Sequence, residues 1–337
     1  MRRRPIAIGL AVSLGCPLSR AQTLSARPQR RVGLLFLASD PDPRVPAGER
    51  PLGRFLSTRG WLEGKNLVTE RAFADYRVER LPALAKQLLG NGAEVLYTDG
   101  SEATLAAARA TTTVPIVFDS VTFPLEQGLI ESFVRPGRNL TGVSEFTGIE
   151  MSQKRNQLLR DLIPGAQRLG WLWPVDLTET LSGGHFDATS MLQAAATKFG
   201  FETRFFDVRS LEDIDAGLGA AHAWDAQALQ AASAYAFPKR QTIADFCLRH
   251  RIPCATPAAI AETTGVLLSF GATEAEFEAL GQRALEMVER ILRGANPAEI
   301  PVERPKRFEI VLNLKTARAL GITVPAALRL RADRLIE

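Results

Sequence analysis

Residues 95–123 read VLYTDGSEATLAAARATTTVPIVFDSVTF, and the order of residue types in that stretch decides the fold. Val95-Leu96-Tyr97 is a short apolar run of strand type. Thr98-Asp99-Gly100 leads from it into Ser101–Ala110, an alanine-rich helical segment, and Val114–Phe118 is a second apolar run. Strand, crossover helix, strand is the unit of a parallel sheet, whose strands are apolar on both faces because helices cover both.

The alternation extends in both directions. Upstream, Val32–Leu37 is a first strand, Glu49–Arg59 a helix closed by Gly60, and Asn66–Phe73 a second strand, while Leu81, Leu84, Ala85 and Leu88 form one helical face. Downstream, Leu125–Val134 is expected as a short helix, and Pro136-Gly137 turns the chain into a strand at Leu140–Ser144. The pattern then restarts after a helix that ends before Pro164-Gly165. Strands are expected at Leu169–Trp173, Phe201–Val208, Ala226–Ala231, Pro253–Thr256 and Val266–Phe270, with helices at Ser190–Phe199, Leu211–Ala223 and Lys239–Arg251. Thr273 and Glu276 form a capping box ahead of a helix whose Phe277, Leu280, Ala284, Val288 and Ile291 share a face. A closing strand, Phe308–Leu312, precedes a short helical tail.

The fold class is therefore α/β, with two Rossmann-like lobes of parallel sheet. The lobes are expected at residues 31–143 plus 272–301 and 144–271 plus 302–337. A chain this long exceeds a single ordinary core.

The N-terminus sets the compartment. Arg2, Arg3 and Arg4 precede an apolar segment from Ile6 to Gly15, and Ser19-Arg20-Ala21 offers small side chains at a cleavage boundary, so residues 1–21 read as a secretory signal. An alternative stays open at Leu14-Gly15-Cys16, which resembles a lipoprotein site with Ser13 where Leu is usual, so that Cys16 would carry a lipid. Four of the 41 basic residues lie in 1–21, which holds no acid, leaving 37 bases against 37 acids. The overall pI of 9.1 is thus no sign of a nucleic-acid or anionic-membrane partner. Cys247 and Cys254 either pair or remain as two buried thiols.

In such folds ligands meet the loops at the carboxyl ends of strands. After the third strand, Thr98, Gly100 and Ser101 offer hydroxyls, close backbone approach and the free N–H groups of a helix start, which suit an anion as well as a simple cap. After the fourth, Asp119, Ser120, Thr122 and Phe123 add an acid and an aromatic wall. Ser39 and Asp40 occupy the equivalent loop of the first strand, and Trp173, Tyr235, Phe237 and Phe270 stand at strand ends in the second lobe. Enzymatic constellations are poor: His185, His222 and His250 show no metal spacing, and no serine sits in a nucleophile elbow.

Several segments together resemble a known family. They are Gly60-Trp61-Leu62-Glu63-Gly64-Lys65-Asn66-Leu67, Arg80-Leu81-Pro82-Ala83-Leu84-Ala85, Val114-Pro115-Ile116-Val117-Phe118, Arg135-Pro136-Gly137-Arg138-Asn139-Leu140-Thr141-Gly142 and Phe308 to Leu320. Their order is similar to that in ABC-transporter substrate-binding proteins of the tryptophan/tyrosine-binding-protein-like group, which have the type I periplasmic binding protein fold. The resemblance implies a periplasmic, bilobed, monomeric receptor with a hinge of three crossovers, no enzyme activity and no cofactor. It would hand a small molecule, an amino acid or related carboxylate, to a membrane permease driven by an ATPase. It also implies that Thr98, Gly100 and Ser101 receive the carboxylate, with Asp119, Ser120 and Thr122 beside them. A periplasmic sensor presenting its closed form to a signalling receptor is the alternative.

Overall fold

The computed structural model describes residues 29–44, 46–145, 149–231, 235–257 and 265–337; the expected signal segment 1–21, with Cys16, lies outside the described residues. Two sheets organise the chain. The first has five parallel strands in the order β2-β1-β3-β4-β5: β1 (Arg30–Phe36), β2 (Leu67–Phe73), β3 (Val95–Asp99), β4 (Ile116–Val121) and β5 (Leu140–Ser144). Side-chain alternation divides it cleanly. Val32, Leu34, Val95, Val117 and Val143 face one way, and Leu35, Leu96, Ile116, Phe118 and Leu140 face the other.

Helices α1 (Pro51–Ser57), α2 (Leu81–Gly90) and α3 (Ser101–Ala110) follow successive strands of this sheet. Its Val32 face is closed from far along the chain by a long helix whose Leu280, Ala284, Leu285, Met287, Val288 and Ile291 join the same cluster. Thr273 caps that helix by accepting from the Glu276 backbone N–H at 3.1 Å. The Glu276 carboxylate does not complete a capping box; it accepts instead from the Lys306 backbone N–H at 3.1 Å.

The second sheet has seven strands in the order β12-β11-β10-β9-β8-β6-β7: β6 (Arg168–Pro174), β7 (Glu202–Val208), β8 (Ala228–Ala231), β9 (Cys254–Thr256), β10 (Leu268–Ala272), β11 (Phe308–Asn313) and β12 (Arg334–Ile336). All its neighbours are parallel except β10 and β11. Helices α4 (Ile149–Leu162), α5 (Ala188–Thr197), α6 (Asp213–Ala223) and α7 (Arg240–His250) belong to this unit. The long helix, α8 (Glu274–Leu292), returns the chain to the first sheet, and α9 (Leu314–Leu320) and α10 (Ala326–Arg331) follow β11. The chain passes between the sheets after β5, after β10 and between α8 and β11. On the last passage Glu303 lies beside β5, with Glu303 N–H donating to the Gly142 carbonyl at 3.1 Å and Ser144 N–H to the Glu303 carbonyl at 2.9 Å.

Some expectations are corrected. Leu125–Val134 forms no helix: Gln127 N–H and Leu129 N–H close a turn on Phe123 and Pro124, and Gly128 at φ +71° stops propagation. Glu49–Arg59 is shorter, because the extended Arg50 separates a 3-10 turn at Ala47–Glu49 from a helix that starts at Pro51. The expected helical tail also contributes β12. Cys247 and Cys254 are both buried free thiols. Among the described residues no helix is long and apolar enough to cross a membrane.

Candidate binding cavity

A cavity of about 1000 Å³ opens where the carboxyl ends of the two sheets face each other. Its first wall is built by the β1, β3 and β4 loops. Gly100 caps α3 at φ +86°, a conformation that a side chain would strain, and its N–H donates to the Asp119 carbonyl at 2.9 Å. The Ser101 hydroxyl accepts from the Thr122 N–H at 3.2 Å, tying the two loops together. Ser120 lies at φ +57°, where the β4–β5 register shifts. Thr122 Oγ1 then donates to Glu145 at 3.0 Å.

Eight of the expected site residues line this cavity: Ser39, Gly100, Ser101, Ser120, Thr122, Phe123, Trp173 and Phe237. Five do not. Asp40 is held by Arg50 at 2.7 Å and Arg71 at 3.7 Å. Thr98 is fully buried with its hydroxyl on Thr104 at 2.8 Å, pinning the strand to α3. Asp119 accepts from the Tyr97 hydroxyl at 2.6 Å. Tyr235 is buried and packs at 6.3 Å from Tyr76, joining the cores of the two units, and Phe270 packs at 6.4 Å from Phe308. Strand alternation explains Thr98: it stands between Tyr97 and Asp99, which line the cavity, and points to the opposite face.

The first wall is acidic. Asp99 and Asp119 oppose each other in register on β3 and β4, Glu102 stands in the first turn of α3, and Glu145 follows β5. Burial, then Asp119 and Glu102, push the Asp99 carboxyl up to about 7. Desolvation, then Asp99, Asp119 and Glu102 nearby, raises the Glu145 carboxyl, while its bond from Thr122 works the other way. Asp119 is raised by burial, partly offset by its hydrogen bonds from Tyr97 and Ser120.

The second wall is aromatic and carries a cation. Trp173 stands near the end of β6 and Trp171 at its middle, and the Trp171 indole, 6.1 Å from Phe205, is buried without an acceptor for its N–H among the described residues. From α4, Met151, Ser152 and Arg155 reach the cavity. Arg155 Nε donates to Gln230 Oε1 at 3.0 Å, and Gln230 in turn donates to Asn156 at 2.6 Å. Burial lowers the guanidinium to about 10, which leaves it charged at neutral pH. Sequence reading missed Arg155 because QKRNQLLRDL resembles a solvated helix. A usable signal was present: Ser152, Arg155 and Asn156 continue, at helical spacing, the face carrying Leu159 and Leu162.

Hydroxyls, backbone N–H groups, rings and separated charges can hold a small polar molecule, and the described residues contain no group of three His, Cys, Asp or Glu able to hold a metal ion. Residues 54–336 match the family model for ABC transporter substrate binding proteins. A tyrosine-binding protein of Clostridioides difficile strain R20291 is 21% identical over 322 residues, covering 94% of this chain and 90% of that protein. A Streptococcus pneumonia protein crystallised with L-Trp is 23% identical with a TM-score of 0.75, over 91% of this chain and 100% of that one. A conserved domain protein of Vibrio cholerae is also 23% identical, with a TM-score of 0.76 over 91% of this chain and 99% of that one.

Proposed function

The chain belongs to the family of ABC transporter substrate binding proteins, and on that premise we propose that it is the periplasmic solute-binding component of an ABC importer, not an enzyme. In this reading it captures an amino acid or related carboxylate in the cavity between the sheets. The observation that carries the reading is the cavity itself, lined from the carboxyl ends of both sheets. Its volume of about 1000 Å³ stands at the top of the usual range for small-molecule sites, roughly 300–1,000 Å³. That is generous for one amino acid, so binding involves closure. The units 31–143 with 272–301 and 144–271 with 302–337 swing together about the three passages of chain. The closed monomer then offers a joined surface to the permease and its ATPase. The tyrosine-binding relative and the L-Trp complex make aromatic amino acids the first candidates, and Trp171, Trp173, Phe36 and Phe123 in the cavity wall suit a planar side chain.

A thermal-shift screen of the purified protein against amino acids, aromatic acids, sugars and nucleosides tests this. At a concentration of about 100 times Kd, a true ligand contributes about 2.7 kcal/mol, which raises Tm by several degrees. A screen in which no solute raises Tm, or in which a binding solute leaves the scattering radius unchanged, would refute capture by closure.

A further inference from the structure

Resting on the reading that the cavity holds a small solute, we infer that Arg155 receives the anionic group of that solute. The ligand then lies with its negative end against the second sheet and away from the β3 loop. Arg155 is 5% exposed and lines the cavity. Its guanidinium donates from Nε to Gln230 at 3.0 Å, from Nη1 to the Phe270 carbonyl at 3.3 Å and from Nη2 to Ser152 Oγ at 3.1 Å. All three acceptors are neutral. A guanidinium has five N–H donors, so the fork is fixed in place with donors to spare.

Among the described residues no carboxylate pairs with Arg155, and burial lowers its guanidinium from the usual value. A buried cation without a counter-ion costs free energy, which an incoming carboxylate offsets in a geometry suited to two parallel hydrogen bonds. The other cations of the cavity are differently placed. Arg50 and Arg71 attend Asp40, and the half-buried Arg240 lies over the Phe237 ring, 4.6 Å from its centroid. The opposite wall disfavours an anion: a carboxylate docked on Gly100 and Ser101 meets Glu102 and the carboxyls of Asp99 and Glu145, which already resist taking a negative charge there. The two walls therefore orient a solute by charge.

The test compares the parent with Arg155→Gln and Arg155→Lys, using L-tryptophan, L-tyrosine, benzoate and L-tryptophanamide as probes in calorimetric titration, with ligand-free Tm measured alongside. The parent is expected to prefer an acid probe to the uncharged-carbonyl amide by about tenfold or more. Arg155→Gln reduces that preference to about twofold or less, and Arg155→Lys retains part of it. Ligand-free Tm stays within a few degrees of the parent. Retained preference in Arg155→Gln overturns the inference alone. A parent that binds solutes from the wider screen but none of the acids also overturns it and leaves solute capture standing. Failure of both variants to fold marks Arg155 as structural and overturns it as well. Only a parent that binds nothing of any class removes both readings.

Discussion

Replacing Asp99 with Asn should stabilise the ligand-free protein, in a way that depends on pH. The Asp99 carboxyl is raised from 3.8 to about 7, first by burial and then by Asp119 and Glu102. Between about pH 4 and pH 7 the unfolded chain has already lost this proton while the folded chain keeps it. The folded state therefore binds more protons, and stability falls as pH rises through that window. Three pK units correspond to about 4 kcal/mol, an upper bound, since Asp99 faces an open cavity where water screens its neighbours. A discounted value of about 1–2 kcal/mol is expected. Asp99→Asn should thus unfold about 2–6 °C higher than the parent near pH 8, with the difference shrinking to nothing near pH 4. Thermal unfolding of both proteins, ligand-free, across that range reads the effect directly. Equal stability at pH 8, or a gain that grows on acidification, would refute the claim that crowded, poorly solvated carboxylates strain this wall.

Two further substitutions probe the architecture. Ser101→Phe places a ring where a buried hydroxyl now joins the two loops, so it should abolish the Tm rise produced by the solute found in the screen; an unchanged rise would remove that loop from the site. Gly142→Val puts a Cβ 2.0 Å from the Phe118 carbonyl oxygen at φ +154°, and urea unfolding should show a loss of roughly 3 kcal/mol or no folded protein. Parent-like stability there would mean that β4 and β5 can separate without cost.

The alternation of strand and helix was legible because burial between two helical layers leaves little choice of residue. β3 and β4 are short apolar runs, and Thr273 announces the start of α8 with the side-chain acceptor it uses. The site was legible only as loops. Sequence places Thr98 and Ser101 in one loop, but the direction of a side chain at a strand end depends on which face the helices cover. Thr98 consequently turns into the core, whereas Ser101 lines the cavity. Arg155 was hidden because its reason for pointing inward lies in Gln230 and the Phe270 carbonyl, 75 and 115 residues away. The helix expected at Leu125–Val134 gives way to a turn at Gly128, whose positive φ outweighs the helical spacing of its neighbours.

The closure of the first sheet by α8 bears on how the polypeptide reaches its native state. The Thr141 hydroxyl bonds the Ile300 carbonyl at 2.7 Å across a separation of 159 residues, and Val32, Val95, Val117 and Val143 share a cluster with Leu280 to Ile300. A chain emerging from its amino end can pair all five strands of that sheet long before the covering helix exists. One apolar face, covered only in part by Leu52 and Leu56 of α1, must wait while the first five strands of the second sheet are made. Fragments stopping short of residue 273 should therefore self-associate, and a holdase that shields nascent apolar surface would act on this chain late, until about its last fifth is delivered.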